Sequence, residues 1–93
     1  MRIRDFQKLI ESIYYKKDRA RGVDGTFRRF VEEVGELARA IRHNRNLEEE
    51  FSDVFAWLST LASLLGIDLE KSIEKYKTGC PRCKKIPCIC KEN

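Results

Sequence analysis

Long apolar runs are missing from this 93-residue chain. None approaches the ~20 residues that a helix needs to span a bilayer, so no membrane partner is expected. The opening stretch Met1-Arg2-Ile3-Arg4-Asp5 lacks the apolar segment of a secretory signal, and a cytoplasmic location is the expectation. No segment repeats, none is of low complexity, and none reads as a strand. What is there is 42% hydrophobic and 37% charged, the balance of a small, helix-rich domain laced with ion pairs. A chain of this length buries only about two-thirds of its unfolded surface. Self-association as a dimer or tetramer, or a structural metal, is therefore expected.

The net charge of +4 suggests nucleic acid until its distribution is read. Residues 1–74 carry 13 Lys and Arg against 14 Asp and Glu, while the last 19 residues carry six against one. All four cysteines fall in that same tail. Four thiolates around one dication would subtract two charges and leave it only mildly basic. Binding to nucleic acid is not demanded.

Apolar spacing predicts four helices. Phe6, Leu9, Ile10, Ile13 and Tyr14 mark a first helix over residues 5–17, with Asp5 as its cap. Residues 16–25 lose that periodicity, hold two glycines and read as a loop. Asp24 or Thr26 then caps a second helix reaching His43, with Phe27, Phe30, Val31, Val34, Leu37, Ala38 and Ile41 as its inward stripe. Asn44-Arg45-Asn46 makes a turn, and Asn46 with Glu49 resembles a capping box. A third helix from Leu47 carries Phe51, Val54, Leu58, Leu61 and Leu65 inward and stops at Gly66. Asp68 caps a fourth, over residues 69–77. The fold class is an all-α antiparallel four-helix bundle, residues 1–77, followed by a Cys-rich tail, residues 78–93.

Two pairs of acids stand out: Glu33 with Glu36, and Glu50 with Asp53. Each pair is three residues apart on a helix, so both acids share one side, where like charges cost a few tenths of a kcal/mol. Three of the four border the apolar stripes, Glu36 lying further round. Four carboxylates from two antiparallel helices can form an oxygen-only cage suited to Mg²⁺ or Mn²⁺. The same residues, with Glu32, Glu48 and Glu49, also suit a solvated acidic surface near helix N-termini. Spacing leaves both readings open.

The surrounding pattern is more specific. Glu32-Glu33-Val34-Gly35-Glu36-Leu37 followed by Glu49-Glu50-Phe51-Ser52-Asp53-Val54 resembles the EExxE…ExxD signature of MazG-like nucleotide pyrophosphohydrolases, within the all-α NTP pyrophosphatase superfamily. The likeness extends over most of residues 5–77, taking in Lys17-Asp18-Arg19-Ala20-Arg21-Gly22 and Leu65-Gly66-Ile67-Asp68-Leu69. It implies Glu33, Glu36, Glu50 and Asp53 as Mg²⁺ ligands, with Glu32 and Glu49 as weaker candidates. It also implies hydrolysis of nucleoside triphosphates to the monophosphate and pyrophosphate. Glu36 is the expected base, with Glu33 the other catalytic carboxylate. Lys75 matches a basic position of the family, Arg19 and Arg21 could add phosphate contacts, and Trp57 stands where relatives stack the base. As ordinary residues, the two arginines are solvated charges and the tryptophan is core. His43 reads as a partner of its helix C-terminus. Phosphoribosyl-ATP pyrophosphohydrolase shares the acidic pattern, but Val54-Phe55-Ala56-Trp57 lacks the histidine associated with that class.

Cys80, Cys83, Cys88 and Cys90 are spaced C-x2-C-x4-C-x-C. The first pair has zinc-knuckle spacing, and a closed four-sulfur site would be structural. Disulfides, or a reactive tail without fixed structure, are the other readings. A zinc-containing, non-catalytic module for nucleic-acid binding or assembly is the rival of a different class.

Overall fold

The stretch that loses its apolar stripe stays helical except at one residue. In the computed structural model, which describes residues 1–92, α1 runs from Ile3 to His43. It takes in both of the first two predicted helices and the loop expected between them. Periodicity reports which face is buried; Lys, Arg and Ala at residues 16–21 remain good helix formers on any face. The one interruption is Gly22, whose φ of 78° and ψ of 178° kink the helix. That region of backbone space is open essentially to glycine alone. Asp24 and Thr26 therefore lie inside α1 rather than capping a new helix. Asp5 sits at the third helical position, where its Oδ2 accepts from the Arg2 amide at 3.1 Å.

Asn44, at φ 53°, closes α1, and the Arg45 amide reaches back to the Ala40 carbonyl at 3.1 Å. Helix α2 spans Leu47–Leu64. Asn46 takes a left-handed conformation and its side chain makes no cap hydrogen bond, so the expected capping box is absent. Gly66, at φ 72°, ends α2 as expected, with the Ile67 amide on the Ala62 carbonyl at 2.8 Å. The predicted fourth helix is shorter: one α turn, α3, Leu69–Ser72, then a 3-10 turn, Ile73–Tyr76. Asp68 does cap it, accepting from the Glu70 amide at 3.0 Å. Among the described residues there are three α-helices, not four, and no strand.

The contacts of α1 ascend as those of α2 descend: Gln7 with Ser63, Arg21 with Trp57, Glu33 with Asp53. The chain is thus an antiparallel hairpin of helices with a corner at α3. Gln7, 8% exposed, ties that corner together. Its Nε2 donates to Ser63 Oγ at 3.1 Å and the Ile67 carbonyl at 2.7 Å, and its Oε1 accepts from the Leu69 amide at 2.9 Å. Arg4 adds Nε to Asp68 Oδ2 at 2.9 Å and a contact to Glu70 Oε2 at 3.1 Å. Phe6 stacks on Phe55, centroids 5.1 Å apart.

Among the described residues the buried hydrophobic ones are Ile10, Ala40 and Ala62, beside fully enclosed Thr26 and Ser59. Several residues of the expected inward stripes are exposed instead: Phe27, Val31, Val34 and Ile41 on α1, Phe51 on α2, and Leu65 just beyond it. Two helices offer each other one face apiece, which cannot enclose stripes wide enough for a bundle. Among the described residues no single helix is long and apolar enough to cross a membrane.

Two perturbations check this architecture. Gly22→Ala forces a side chain into the glycine-only region and should destabilise the fold by about 1–3 kcal/mol in urea unfolding. The Arg4 guanidinium, by hydrogen bond and charge, holds the Asp68 carboxyl below its ordinary value. Stability from this pair is therefore complete near neutrality and lost as the pH falls below about 4. Asp68→Asn should lower the urea midpoint at pH 7 and narrow the gap between that midpoint and the acid one.

Candidate functional site

Three of the four singled-out acids converge. Glu33 comes from α1 beyond the kink, and Glu50 and Asp53 come from the first two turns of α2. Each offers a carboxylate oxygen, and the three oxygens lie within 4.8 Å of one another. All three side chains are half-buried. Glu33 has one cationic neighbour, Arg29 Nη2 at 3.6 Å. Glu50 has none, and its Oε2 is buried without a hydrogen-bond partner. Burial, followed by the charges of Asp53, Glu33, Glu36 and Glu49, raises the Glu50 carboxyl above its ordinary value.

Glu36 stands apart from these three. It is exposed and lies 3.4 Å from Arg39 Nη1. It nevertheless shares a recess of 170 Å³ with Glu50, lined also by Arg39, His43, Arg45 and Asn46. Glu32 pairs with Arg29 at 2.9 Å on the exposed side of α1, and Glu49 is exposed on α2. His43 does lie in the last turn of α1.

On its other side Asp53 opens into a cleft of 220 Å³ between the two helices. Trp57, one turn on from Asp53, lines it together with Tyr14, Lys17, Asp18, Arg21 and Thr60. The guanidinium of Arg21 lies 4.6 Å from the Trp57 ring centre and that of Arg29 lies 5.1 Å from it. Trp57 is therefore neither plain core nor a bare stacking platform. Arg21 is partly committed: its Nη1 donates to Asp18 Oδ1 and to Thr26 Oγ1, both at 3.1 Å, across the kink. Gly25 makes room for it, since a Cβ there would meet Arg21 Cγ at 2.7 Å. Arg19 turns to Tyr15, 4.6 Å from its ring, and borders a separate, shallower recess. Lys75 lies over Tyr76 in the 3-10 turn and is not among the residues lining the cleft.

Sequence reasoning quoted Lys17 and Asp18 and placed Tyr14 in an apolar stripe, but gave none of them, nor Arg29, a role at the site. Their signal was present: Ile10, Tyr14, Lys17 and Arg21 recur at helical spacing and face one side of α1. That periodicity continued through the charged stretch, in side chains that a search for apolar residues ignores.

A hard divalent cation fits the three acids. The donors are all oxygens, three carboxylates face a single guanidinium, and a buried carboxylate oxygen lacks any partner among the described residues. A second cluster differs in kind. The sulfurs of Cys80, Cys83, Cys88 and Cys90 also lie within 4.8 Å of one another. There the amides of Ile89 and Lys85 hold the Cys83 thiol down at about 6, whereas Cys88, Cys83 and Cys80 push Cys90 up to about 12.

Comparison with known proteins gives this arrangement a family. The model of the MazG nucleotide pyrophosphohydrolase domain matches residues 21–84. The match contains all four acids and extends into the tail as far as Cys80 and Cys83, while the first arm of α1 lies outside it. No curated protein matches the chain. Because the match takes in well over half of the sequence, including the acids of both helices, the chain belongs to the MazG nucleotide pyrophosphohydrolase domain family.

Proposed function

We propose that the protein hydrolyses nucleoside triphosphates, ribo- or deoxyribo-, to the nucleoside monophosphate and pyrophosphate. The observation that carries this reading is the convergence of Glu33, Glu50 and Asp53, with one Glu50 oxygen left without a partner inside the chain. These three carboxylates, with Glu36 at the edge, would hold Mg²⁺ or Mn²⁺. Such an ion supplies charge neutralisation on phosphate oxygens and a more acidic bound water.

The chain's own residues do the rest. Glu36 lies outside the three-acid cluster and carries a carboxylate loosely paired with Arg39, so it is free to accept a proton. As water attacks the α-phosphorus, the new P–O bond forms and the bond to the bridging oxygen breaks. Pyrophosphate leaves and Glu36 takes the proton, with Glu33 orienting the phosphate side of the site. Lys17 and Arg21 lie in the cleft beyond Asp53 and can counter polyphosphate charge. Trp57 borders that cleft and offers the base an aromatic surface once a guanidinium moves aside. Arg19 and Lys75 would reach substrate only by changing side-chain conformation or from a second copy.

A second copy is part of the proposal. Phe27, Val31, Val34, Ile41 and Phe51 are each more than 40% exposed, which two helices of one chain cannot remedy. Dimer or tetramer formation would cover them and complete a bundle. Light scattering coupled to gel filtration should give a mass at least twice that of the chain, and Val31→Glu should shift it towards the monomer. A wild-type monomer at working concentration would refute this part.

Activity is tested with each NTP and dNTP and Mg²⁺, resolving the products. Monophosphate plus pyrophosphate is expected, abolished by Glu50→Gln or Asp53→Asn. Glu36→Gln should lower kcat roughly 10²–10⁴-fold while leaving Mg²⁺ binding measurable. Glu50→Gln also removes a buried, unpaired charge, so in metal-free buffer it should raise Tm even as activity disappears. No turnover across the panel, with no divalent-ion binding at the acids, would overturn the reading.

A further inference from the structure

Beyond the 3-10 turn the described chain has no helix or strand, yet its four sulfurs are drawn to one point. Cys80 Sγ lies 3.8 Å from Cys90 Sγ, and Cys83 Sγ lies 3.9 Å from Cys88 Sγ. These two pairs share no atom, so they are opposite edges of the four-sulfur figure. A tetrahedral Zn²⁺ with bonds of about 2.3 Å to sulfur requires edges of about 3.8 Å. The two edges agree with that value.

One backbone amide is aimed at a sulfur. The Cys90 amide donates to Cys88 Sγ at 3.3 Å. Amide donors on sulfur stabilise the negative charge that a metal ligand carries and a disulfide lacks. The turn itself is tightly drawn. The Lys84 amide donates to the Cys80 carbonyl at 2.7 Å, and the Cys80 amide to the Lys85 carbonyl at 3.1 Å. Lys84 is left-handed at φ 62°, and Gly79 has φ 110°. A Cβ at Gly79 would meet both the Lys85 carbonyl oxygen and Ile86 Cγ1 at 2.9 Å.

We propose that Cys80, Cys83, Cys88 and Cys90 form a closed tetrathiolate site for one Zn²⁺ that folds residues 78–92 as a separate unit. On binding, each thiol proton still present passes to solvent as its sulfur–zinc bond forms. Four protein ligands leave no position for water or substrate, so the site is structural and plays no part in phosphate chemistry. The small knuckle has almost no apolar burial, with Ile86 82% and Ile89 71% exposed, so the metal is what orders it.

The test uses the full chain purified with reductant. Elemental analysis should give one Zn²⁺ per chain, and Co²⁺ exchange should give tetrahedral visible bands with thiolate charge-transfer absorption. Cys80→Ser/Cys83→Ser should lose the metal and these bands while keeping its helical circular dichroism. Glu50→Gln should keep the metal, which separates this site from the acids and its failure from failure of the proposed activity. Gly79→Ala, which leaves all four ligands in place, should weaken Zn²⁺ about 10–100-fold. No uptake of Zn²⁺ or Co²⁺ by the reduced protein would overturn the proposal. So would equal uptake by a variant with all four cysteines changed to serine, or isolation of the chain with two disulfides and no metal.

Discussion

The site depends on how one helix bends. Gly22 gives α1 a backbone conformation that other residues resist, and Arg21 holds the bend from inside by joining Asp18 on one side to Thr26 on the other. Asp18 and Thr26 are both buried, so these bonds are shielded from water and from salt. The same guanidinium covers Trp57 on α2. One side chain thereby fixes the angle between the arms of α1 and joins that angle to the second helix. Without the bend the first arm of α1 would diverge from α2, and the cleft beside Asp53 would lose the wall that carries Ile10, Tyr14 and Lys17.

Charge is handled in opposite ways at the two ends of the hairpin. At the α3 corner, Arg4 meets Asp68 and Glu70, Gln7 satisfies a carbonyl and an amide, and the carboxyl of Asp68 is held low. At the other end three acids crowd together, one oxygen has no partner, and the carboxyl of Glu50 is held high. The first arrangement stabilises the fold by itself. The second sets stability against the retention of negative charge, the pattern expected where a site is kept ready for a cation.

What could be read from the sequence follows from what each signal measures. Helical periodicity identified α2, its Gly66 stop and the Asp68 cap, because each rests on local chemistry. The stretch 16–25 does hold a break, at Gly22, but its other turns stay helical and carry charge on the face where a hydrophobic residue is sought. The apolar stripes were visible, yet Phe27, Val31 and Phe51 proved exposed, since a stripe says that a face wants cover without saying which chain covers it. The acids were legible as a group, and helical spacing already placed Glu36 further round than the other three, as the structure has it; its pairing with Arg39 was not legible. The partial engagement of Arg21 and the two guanidiniums over Trp57 are long-range facts with no local signature.

The fully enclosed side chains are Thr26 on α1 and Ser59 on α2, two of the smaller residues available, where a bundle ordinarily buries leucine or phenylalanine. Ser59 returns its hydroxyl to the Phe55 carbonyl at 2.8 Å, and Thr26 accepts from Arg21, so neither exposes a polar atom to an apolar wall. Lengthening either enclosed side chain would overpack its surroundings, so growth at these two positions would be met by shifts of the helix backbones rather than by a change of rotamer.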